Sequence, residues 1–369
     1  MGMKLGLGLY RHMFSPEYVR FARQAGATHI VAHMPGEFSR GKQTITSDHE
    51  QTGFGMTQSD DPIWTYKGLS ELKAMINAED MELAALENFA PAHWYDVLLD
   101  GPRRQEQIEH LKRILHDMGQ IGIPVMGYNF SIAGVWGRVE GPFARGGAVS
   151  VGYEDPAQPP IPAGMVWNMV YDPDSYDADH PRGTVGPVSS DEIWRRFGAF
   201  LEEMLPVAEE AGVKLALHPD DPPMPVLRDT ARLVYTPDGY ARMLALNSSP
   251  ANTMEFCIGT LSEIPGGDIY DMVDRYSRTG RIAYIHFRNV RGKIPVYHET
   301  FVDEGDTDMI QVLGILARNG YDGVLIPDHT PLMACDAPWH AGIAYALGYM
   351  KAAITMTERQ QAAATLQQA

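Results

Sequence analysis

The sequence has few cysteines, a shortage of basic residues and no long apolar run. Its 369 residues include two cysteines, Cys257 and Cys335, which is too few for a disulfide framework. Lys and Arg number 30 against 47 Asp and Glu, so the net charge is -17. Nucleic acid and anionic membranes are therefore poor candidates for partners, because both require basic patches.

No apolar stretch approaches the roughly 18 residues of a membrane span. The first residues also lack the apolar core and cleavage site of a signal peptide. We therefore expect a cytoplasmic protein. A composition of 44% hydrophobic and 21% charged residues is typical of a globular chain that is long enough to bury a large core.

Short apolar runs alternate with longer amphipathic segments along the chain. The short runs are nearly continuous in apolar character, as in strands that are buried on both faces. The eight predicted strands are Lys4–Leu9, His29–His33, Glu82–Glu87, Pro124–Asn129, Val213–His218, Thr253–Cys257, Ile282–Phe287 and Gly323–Pro327.

Helical patterns lie between these runs. The first begins with Ser15 as the N-cap and Pro16 as the first helical residue. The other predicted helices are Leu69–Ala78, Arg104–Ile121, Ser190–Ala211, Thr236–Leu246, Asp268–Arg278, Thr307–Asn319 and Pro338–Thr355.

Eight strand–helix units in succession predict an α/β fold, a (β/α)8 TIM barrel formed by one domain over residues 1–369. An open doubly wound sheet is the alternative, but no glycine-rich dinucleotide fingerprint follows a strand. Two insertions, 35–67 and 130–189, follow strands 2 and 4. Because both leave the carboxyl ends of strands, we expect them to form a lid or the contacts of a homo-oligomer.

Four consecutive predicted strands end in residues that bind metals. These residues are His218, Cys257, His286 and Asp328, and in a barrel they surround one half of the mouth. Alone, each has an ordinary explanation, such as a turn residue or a small buried thiol. Together they indicate a divalent metal site, whose thiolate favours zinc, iron or manganese over magnesium.

Other polar residues lie at or near the strand ends. Arg288 is the best candidate for binding a carboxylate, because its planar guanidinium matches one. We predict that the others bind substrate, namely Arg11, His33, Asn129 and Asn289.

Five segments resemble, in the same order, motifs of the UxuA-type mannonate dehydratases, which are metal-dependent barrels of the xylose-isomerase-like class. The segments read "HPDDPP", "FCIGT", "IHFRNVRG", "YHETFVDEGDTDM" and "IPDHT". The resemblance is strongest from Leu201 to His329 and patchier before that. It implies that an aldonic acid, D-mannonate or a relative, loses water to give a 2-keto-3-deoxy acid. It also implies a divalent ion at the four positions above, with Mn²⁺ first and Fe²⁺, Co²⁺ or Zn²⁺ as alternatives.

Dehydration of this kind requires a base for the proton on C2 and an acid for the hydroxyl on C3. His329 is the first candidate for proton transfer, His298 is the second, and Arg288 would hold charge. The chain departs from the family at Thr330 and Pro331, where "PDHTP" replaces "PDHGH", and at His340, which stands in place of a tyrosine. These departures are expected at the mouth, so they bear on the substrate more than on the metal.

Two other functions remain open. A sugar isomerase or epimerase of the same barrel class would usually bind its metal with several carboxylates, whereas the predicted site has one. A non-catalytic sugar-acid-binding barrel would not need His329, His298 and Arg288.

Overall fold

The structure is a computed structural model that describes residues 2–35, 38–40, 43–45, 55–57, 59–176 and 182–368. Much of the first predicted insertion, 35–67, therefore lies outside the described residues.

Eight parallel strands close into a barrel, in which each strand pairs with the next and the last pairs with the first. The predicted barrel is confirmed, and each predicted strand end lies within one residue of the observed one. We number the barrel strands β1 Lys4–Tyr10, β2 His29–His33, β3 Glu82–Glu87, β4 Val125–Tyr128, β5 Lys214–Leu217, β6 Asn252–Cys257, β7 Ile282–His286 and β8 Val324–Ile326.

Helices alternate with the barrel strands. Two single-turn helices are added to eight longer ones. The helices are α1 Pro16–Gln24, α2 Tyr66–Ala78, α3 Tyr95–Leu99, α4 Arg104–Ile121, α5 Ser190–Ala211, α6 Gly239–Leu246, α7 Ile258–Ser262, α8 Ile269–Ser277, α9 Met309–Arg318 and α10 Pro338–Gln368.

Three helix boundaries differ from the prediction by three or more residues, and the first is the start of α2 at Tyr66 instead of Leu69. Helix α6 begins at Gly239, because Thr236 accepts a turn hydrogen bond from the Gly239 amide before the helix starts. Helix α10 continues to Gln368 instead of ending at Thr355, since the added segment is rich in alanine and glutamine, which are good helix formers. Among the described residues, no helix is long and apolar enough to cross a membrane.

An antiparallel sheet, which we call the accessory sheet, joins part of the second insertion to the loop after β7. Its strands, in order, are Val290–Lys293, Val296–Glu299, Ala148–Glu154 and Arg138–Ala144. The remaining short strands are Phe38–Arg40, Gln43–Ile45, Gly55–Met56, Ile161–Pro162, Met165–Val166, Met169–Val170, Thr184–Val185, Val226–Leu227 and Thr230–Ala231.

Candidate metal centre and active-site cavity

Three of the predicted metal ligands meet at the barrel mouth. His218 follows β5 directly, Cys257 ends β6 and His286 ends β7. One ligand atom from each lies within 4.8 Å of the others. Since the parallel register pairs Cys257 with His286, neighbouring strand ends bring these side chains together.

The fourth predicted ligand, Asp328, lies beside this group. Its Oδ2 is 3.5 Å from His286 Nδ1. The Asp328 backbone has a φ of 61°, the left-handed region that a non-glycine residue adopts at a cost of about 1–3 kcal/mol. Such strain is concentrated at functional sites, and here it accompanies the placement of the carboxylate next to His286.

The turn after β5 orients His218. The Nδ1–H of His218 donates to the carbonyl oxygen of Pro219, which leaves Nε2 to act as the ligand atom. Asp220 holds the turn, because its Oδ2 accepts from the amides of Leu233 at 2.7 Å and Val234 at 2.8 Å. The histidine direction is thus set by backbone contacts.

Two carboxylates that the sequence analysis did not single out as ligands lie on the other side of His286. Its Nε2 is 3.2 Å from Glu87 Oε2 and 3.2 Å from Glu255 Oε1. Glu255 precedes Cys257 by two residues in β6, so both side chains point to the same face of the strand. Gly127 leaves room for the Glu255 side chain, because a Cβ at this position would lie 2.5 Å from Glu255 Oε2.

These residues, which we call the His286 cluster, have the chemistry of a cation site. Among the described residues, His286 Nδ1 and Glu255 Oε2 are buried without a hydrogen-bond partner. Burial opposes ionisation of the Cys257 thiol, but Arg288 and the neighbouring imidazoles of His218 and His286 outweigh it and lower its pKa to about 5. Two imidazoles, a thiolate and a carboxylate suit a divalent transition metal. The cluster comprises His218, Cys257, His286, Asp328, Glu87 and Glu255.

A second buried group, the Arg288 cluster, begins two residues after His286. The Arg288 guanidinium is 2.8 Å from Asp221, 3.2 Å from Glu263 and 2.6 Å from Glu299. It also donates to Thr260 Oγ1 at 3.0 Å. Arg288 was the best candidate from the sequence for binding a substrate carboxylate. In the structure its guanidinium instead pairs with carboxylates of the protein.

Asp221 links the Arg288 cluster to the accessory sheet. Its Oδ1 accepts from the Tyr297 hydroxyl at 2.6 Å, and its Oδ2 accepts from Arg138 at 3.1 Å. Arg138 belongs to the second insertion, and the sequence analysis did not single it out. The adjacent aspartates of "HPDDPP" have different roles, since Asp220 holds the turn and Asp221 pairs with arginines.

His329 lies where the two clusters meet. Its Nδ1 is 3.0 Å from both carboxylate oxygens of Glu299, and its Nε2 is 3.7 Å from Asp328 Oδ1. Burial would lower the pKa of His329, but Asp328 and Glu299 raise it to about 9. The imidazole therefore sits between two carboxylates, one of which is a predicted ligand.

A cavity of about 340 Å³ opens beside His329. Arg138, Glu299, Asp328 and His329 line it, and so do Tyr10 and the two departures Thr330 and His340. Its volume is that of a small-molecule site. The cavity reaches the His286 cluster through Asp328.

The structure places three other predicted site residues away from both clusters. His298 stacks on Phe143 with ring centroids 3.9 Å apart, and its Nε2 is 3.1 Å from Glu154. The Asn289 amide is buried and donates to backbone carbonyls at 3.1 and 2.9 Å, so it braces a loop. Arg11 pairs with Asp61 at 3.0 Å.

His33 and Asn129 lie on the other half of the mouth. His33 Nδ1 is 3.3 Å from Glu87 Oε1, so this histidine touches the His286 cluster through Glu87. Asn129 is buried directly after β4.

The closed barrel of eight parallel strands shares its fold with xylose-isomerase-like TIM barrels. One similar structure is a xylose isomerase domain protein from Planctomyces limnophilus, with 12% identity, a TM-score of 0.56, and coverage of 97% of this chain and 100% of that one.

The chain belongs to the D-mannonate dehydratase (UxuA) family, whose sequence model matches residues 19–169 and 182–363. A mannonate dehydratase from Streptococcus equi subsp. zooepidemicus is 30% identical over 278 residues, 72% of this chain and 74% of that protein. The crystal structure of a mannonate dehydratase from Streptococcus suis aligns with a TM-score of 0.77 and 23% identity, over 98% of this chain and 95% of that one.

Proposed function

We propose that the protein is a metal-dependent hydro-lyase that converts an aldonic acid, D-mannonate or a close relative, into a 2-keto-3-deoxy acid and water. Family membership supports the reaction. One observation carries the proposal for this chain: ligand atoms of His218, Cys257 and His286 lie within 4.8 Å of one another. Asp328 and a small-molecule cavity adjoin them.

His218, Cys257, His286 and Asp328 would hold the metal, and we propose Mn²⁺, with Fe²⁺, Co²⁺ or Zn²⁺ as alternatives. When bound, the ion would supply positive charge against the charge that develops on the substrate carboxylate as C2 loses its proton. Glu87 and Glu255 would orient His286 through its Nε2, since ligand histidines commonly give their second nitrogen to a carboxylate.

His329 is the proposed proton-transfer residue. Glu299 fixes Nδ1 as the protonated nitrogen at 3.0 Å, which leaves Nε2 to exchange a proton with the substrate. The proton taken from C2 and the hydroxyl lost from C3 together make the water that leaves. The resulting enol becomes the 2-keto-3-deoxy acid when C3 is protonated.

The two arginines have different proposed roles. Arg288 positions His329 by holding Glu299 at 2.6 Å, and it is not proposed to contact substrate. Arg138 lines the cavity, so it is the arginine placed to meet the substrate carboxylate. His33 and Asn129 remain proposed substrate contacts on the other half of the mouth.

The accessory sheet supports a lid role for the second insertion, because Arg138 and Tyr297 connect it to Asp221 at the barrel mouth. We further propose a cytoplasmic homo-oligomer without nucleic-acid or membrane partners, in keeping with the net charge of -17 and the poor match of an acidic chain to anionic partners. Light scattering on the purified chain tests the oligomer.

The function is tested by assaying a panel of aldonic acids for 2-keto-3-deoxy products with manganese present. His329→Gln should lower kcat by roughly 10²- to 10⁴-fold, the usual contribution of a positioned acid or base. Metal content should stay at the wild-type level, because Asp328 and not His329 is the proposed ligand. No product from any acid with metal bound would refute the proposal.

Isomerisation or epimerisation is a second candidate, and one observation favours it. Glu87, Glu255 and His286 form another group whose ligand atoms lie within 4.8 Å, so more carboxylates are present than the sequence indicated. Product analysis separates the two reactions, since an isomerase leaves the elemental composition of the sugar unchanged and a dehydratase removes one water.

A further inference from the structure

The active-site cavity has two chemically different parts. Its inner wall carries Arg138, Glu299, Asp328 and His329, next to the two buried clusters. Six of the other lining residues are apolar, namely Met13, Val139, Val149, Val151, Leu332 and Trp339, and six carry polar groups, namely Tyr10, Tyr18, Glu140, Ser150, Thr330 and His340.

Two of the apolar residues lie toward the opening. Val149 and Leu332 are 38% and 41% exposed, whereas Glu299 is 3% exposed. The Leu332 amide donates to the Val149 carbonyl at 2.8 Å, which ties the two sides of the opening together. Val151 follows Val149 by two residues on one strand, so both face the same side.

Neighbouring residues hold the apolar part of the wall in place, and a backbone carbonyl accepts the hydrogen bond of Ser150, a polar residue of the same wall. The Trp339 ring packs on Tyr18 and Phe21, with centroids 5.7 and 5.9 Å apart. Ser150, which also lines the cavity, donates its hydroxyl to the carbonyl of Glu299 at 2.7 Å. Val149, Val151, Leu332 and Trp339 therefore form an aliphatic and aromatic patch on the outer wall.

An open-chain hexonate with its carboxylate at the inner wall would place the far end of its polyol against this surface. Burying a hydroxyl without a hydrogen-bond partner is unfavourable, whereas burying a methyl group is favourable. We infer that the preferred substrate is a sugar acid whose end distant from the carboxylate is apolar, either deoxygenated or bearing an alkyl or aryl group. This inference rests on the proposed function, because that function orients the acid.

The test compares D-mannonate with 6-deoxy-D-mannonate, and D-gluconate with 6-deoxy-D-gluconate, on the manganese-loaded full chain. Calorimetry gives Kd for each acid, independently of turnover. In at least one configuration the deoxy acid should bind on the order of ten-fold tighter. Equal or weaker binding of both deoxy acids, or no binding of any acid, overturns the inference. A tighter deoxy acid with no keto-deoxy product would instead support the inference and refute the dehydratase proposal.

A double variant tests whether the apolar residues of the cavity wall cause the preference for the deoxy acid. Val149→Thr combined with Val151→Thr keeps side-chain size and adds two hydroxyls, so the Kd ratio between the paired acids should shrink by roughly three-fold or more. Val296→Thr is the matched control, since Val296 is 45% exposed on the next strand of the same sheet and does not line this cavity. An unchanged ratio in the double variant would place the preference elsewhere and overturn the inference.

Discussion

The His286 and Arg288 clusters start two residues apart on one strand end but balance charge in different ways. The Arg288 cluster contains its own permanent cation, which meets Asp221, Glu263 and Glu299 within 3.2 Å. The His286 cluster gathers three carboxylates and a thiol around two imidazoles. It also leaves His286 Nδ1 and Glu255 Oε2 without hydrogen-bond partners among the described residues.

The difference separates a structural charge network from a site suited to an added cation. Buried carboxylates require compensation. An arginine supplies it permanently, since a guanidinium does not lose its proton in proteins. Imidazoles and a thiol can exchange protons for a metal. We therefore expect substitutions in the Arg288 cluster to change folding stability and substitutions in the His286 cluster to change metal affinity.

Replacing Arg288 with methionine should have the largest effect on stability. The change removes the cation that three buried carboxylates share and leaves Glu263 without its arginine, and breaking a buried ion pair costs about 3–5 kcal/mol. Urea unfolding of the purified variant, without added metal, measures the free energy of unfolding.

Arg275→Met is the control, because Arg275 pairs with Asp238 at 2.6 Å on the surface, with side chains 50% and 81% exposed. Exposed pairs contribute about 0–1 kcal/mol. If Arg288→Met were no more destabilising than Arg275→Met, the Arg288 cluster would not be a structural network.

Cys257→Ser should affect metal more than folding. Removing a ligand should weaken metal affinity by at least roughly 10- to 100-fold, the loss that follows removal of even an outer partner of a ligand. Stability without metal should fall by about 1 kcal/mol, an ordinary effect for a single substitution. Elemental analysis after dialysis against graded manganese measures retention.

The chain provides a matched control in its other cysteine. Cys335 is exposed, so Cys335→Ser should leave both metal retention and stability at the wild-type level. Equal metal retention in Cys257→Ser and Cys335→Ser would exclude the thiolate as a ligand.

The sequence predicted the barrel strands closely, because buried parallel strands are short apolar runs bounded by turns. The sequence also predicted that the four candidate ligands lie at one mouth of the barrel, since all strands of a TIM barrel end on the same face. Nothing local in the sequence revealed that Arg288 would contact Asp221, Glu263 and Glu299. These residues come from the turn after β5, the end of α7 and the strand Val296–Glu299.

Glu255 was not predicted as a site residue, although the sequence carries a signal for it. A glutamate inside an otherwise apolar strand is an unusual residue to bury, and its two-residue spacing from Cys257 places it on the same face. Arg138 had no comparable signal, because it comes from an insertion whose path over the mouth depends on pairing with a distant hairpin.

His298→Gln should have the smallest effect of these substitutions, because His298 lies outside both clusters. The ring of His298 stacks on Phe143, and Nε2 faces Glu154, so the side chain is held on the outer side of the accessory sheet. His329, one strand end away, contacts Glu299 and lines the cavity.

Because a proton-transfer residue must lie within hydrogen-bonding reach of substrate, kcat of His298→Gln should stay within about three-fold of wild type, in contrast to the roughly 10²-fold or greater loss expected for His329→Gln. Steady-state kinetics on the two variants, measured with the same acid and saturating manganese, decide between them. A large loss of kcat in His298→Gln with normal metal content would mean that the accessory sheet moves during turnover and brings this histidine to the cavity.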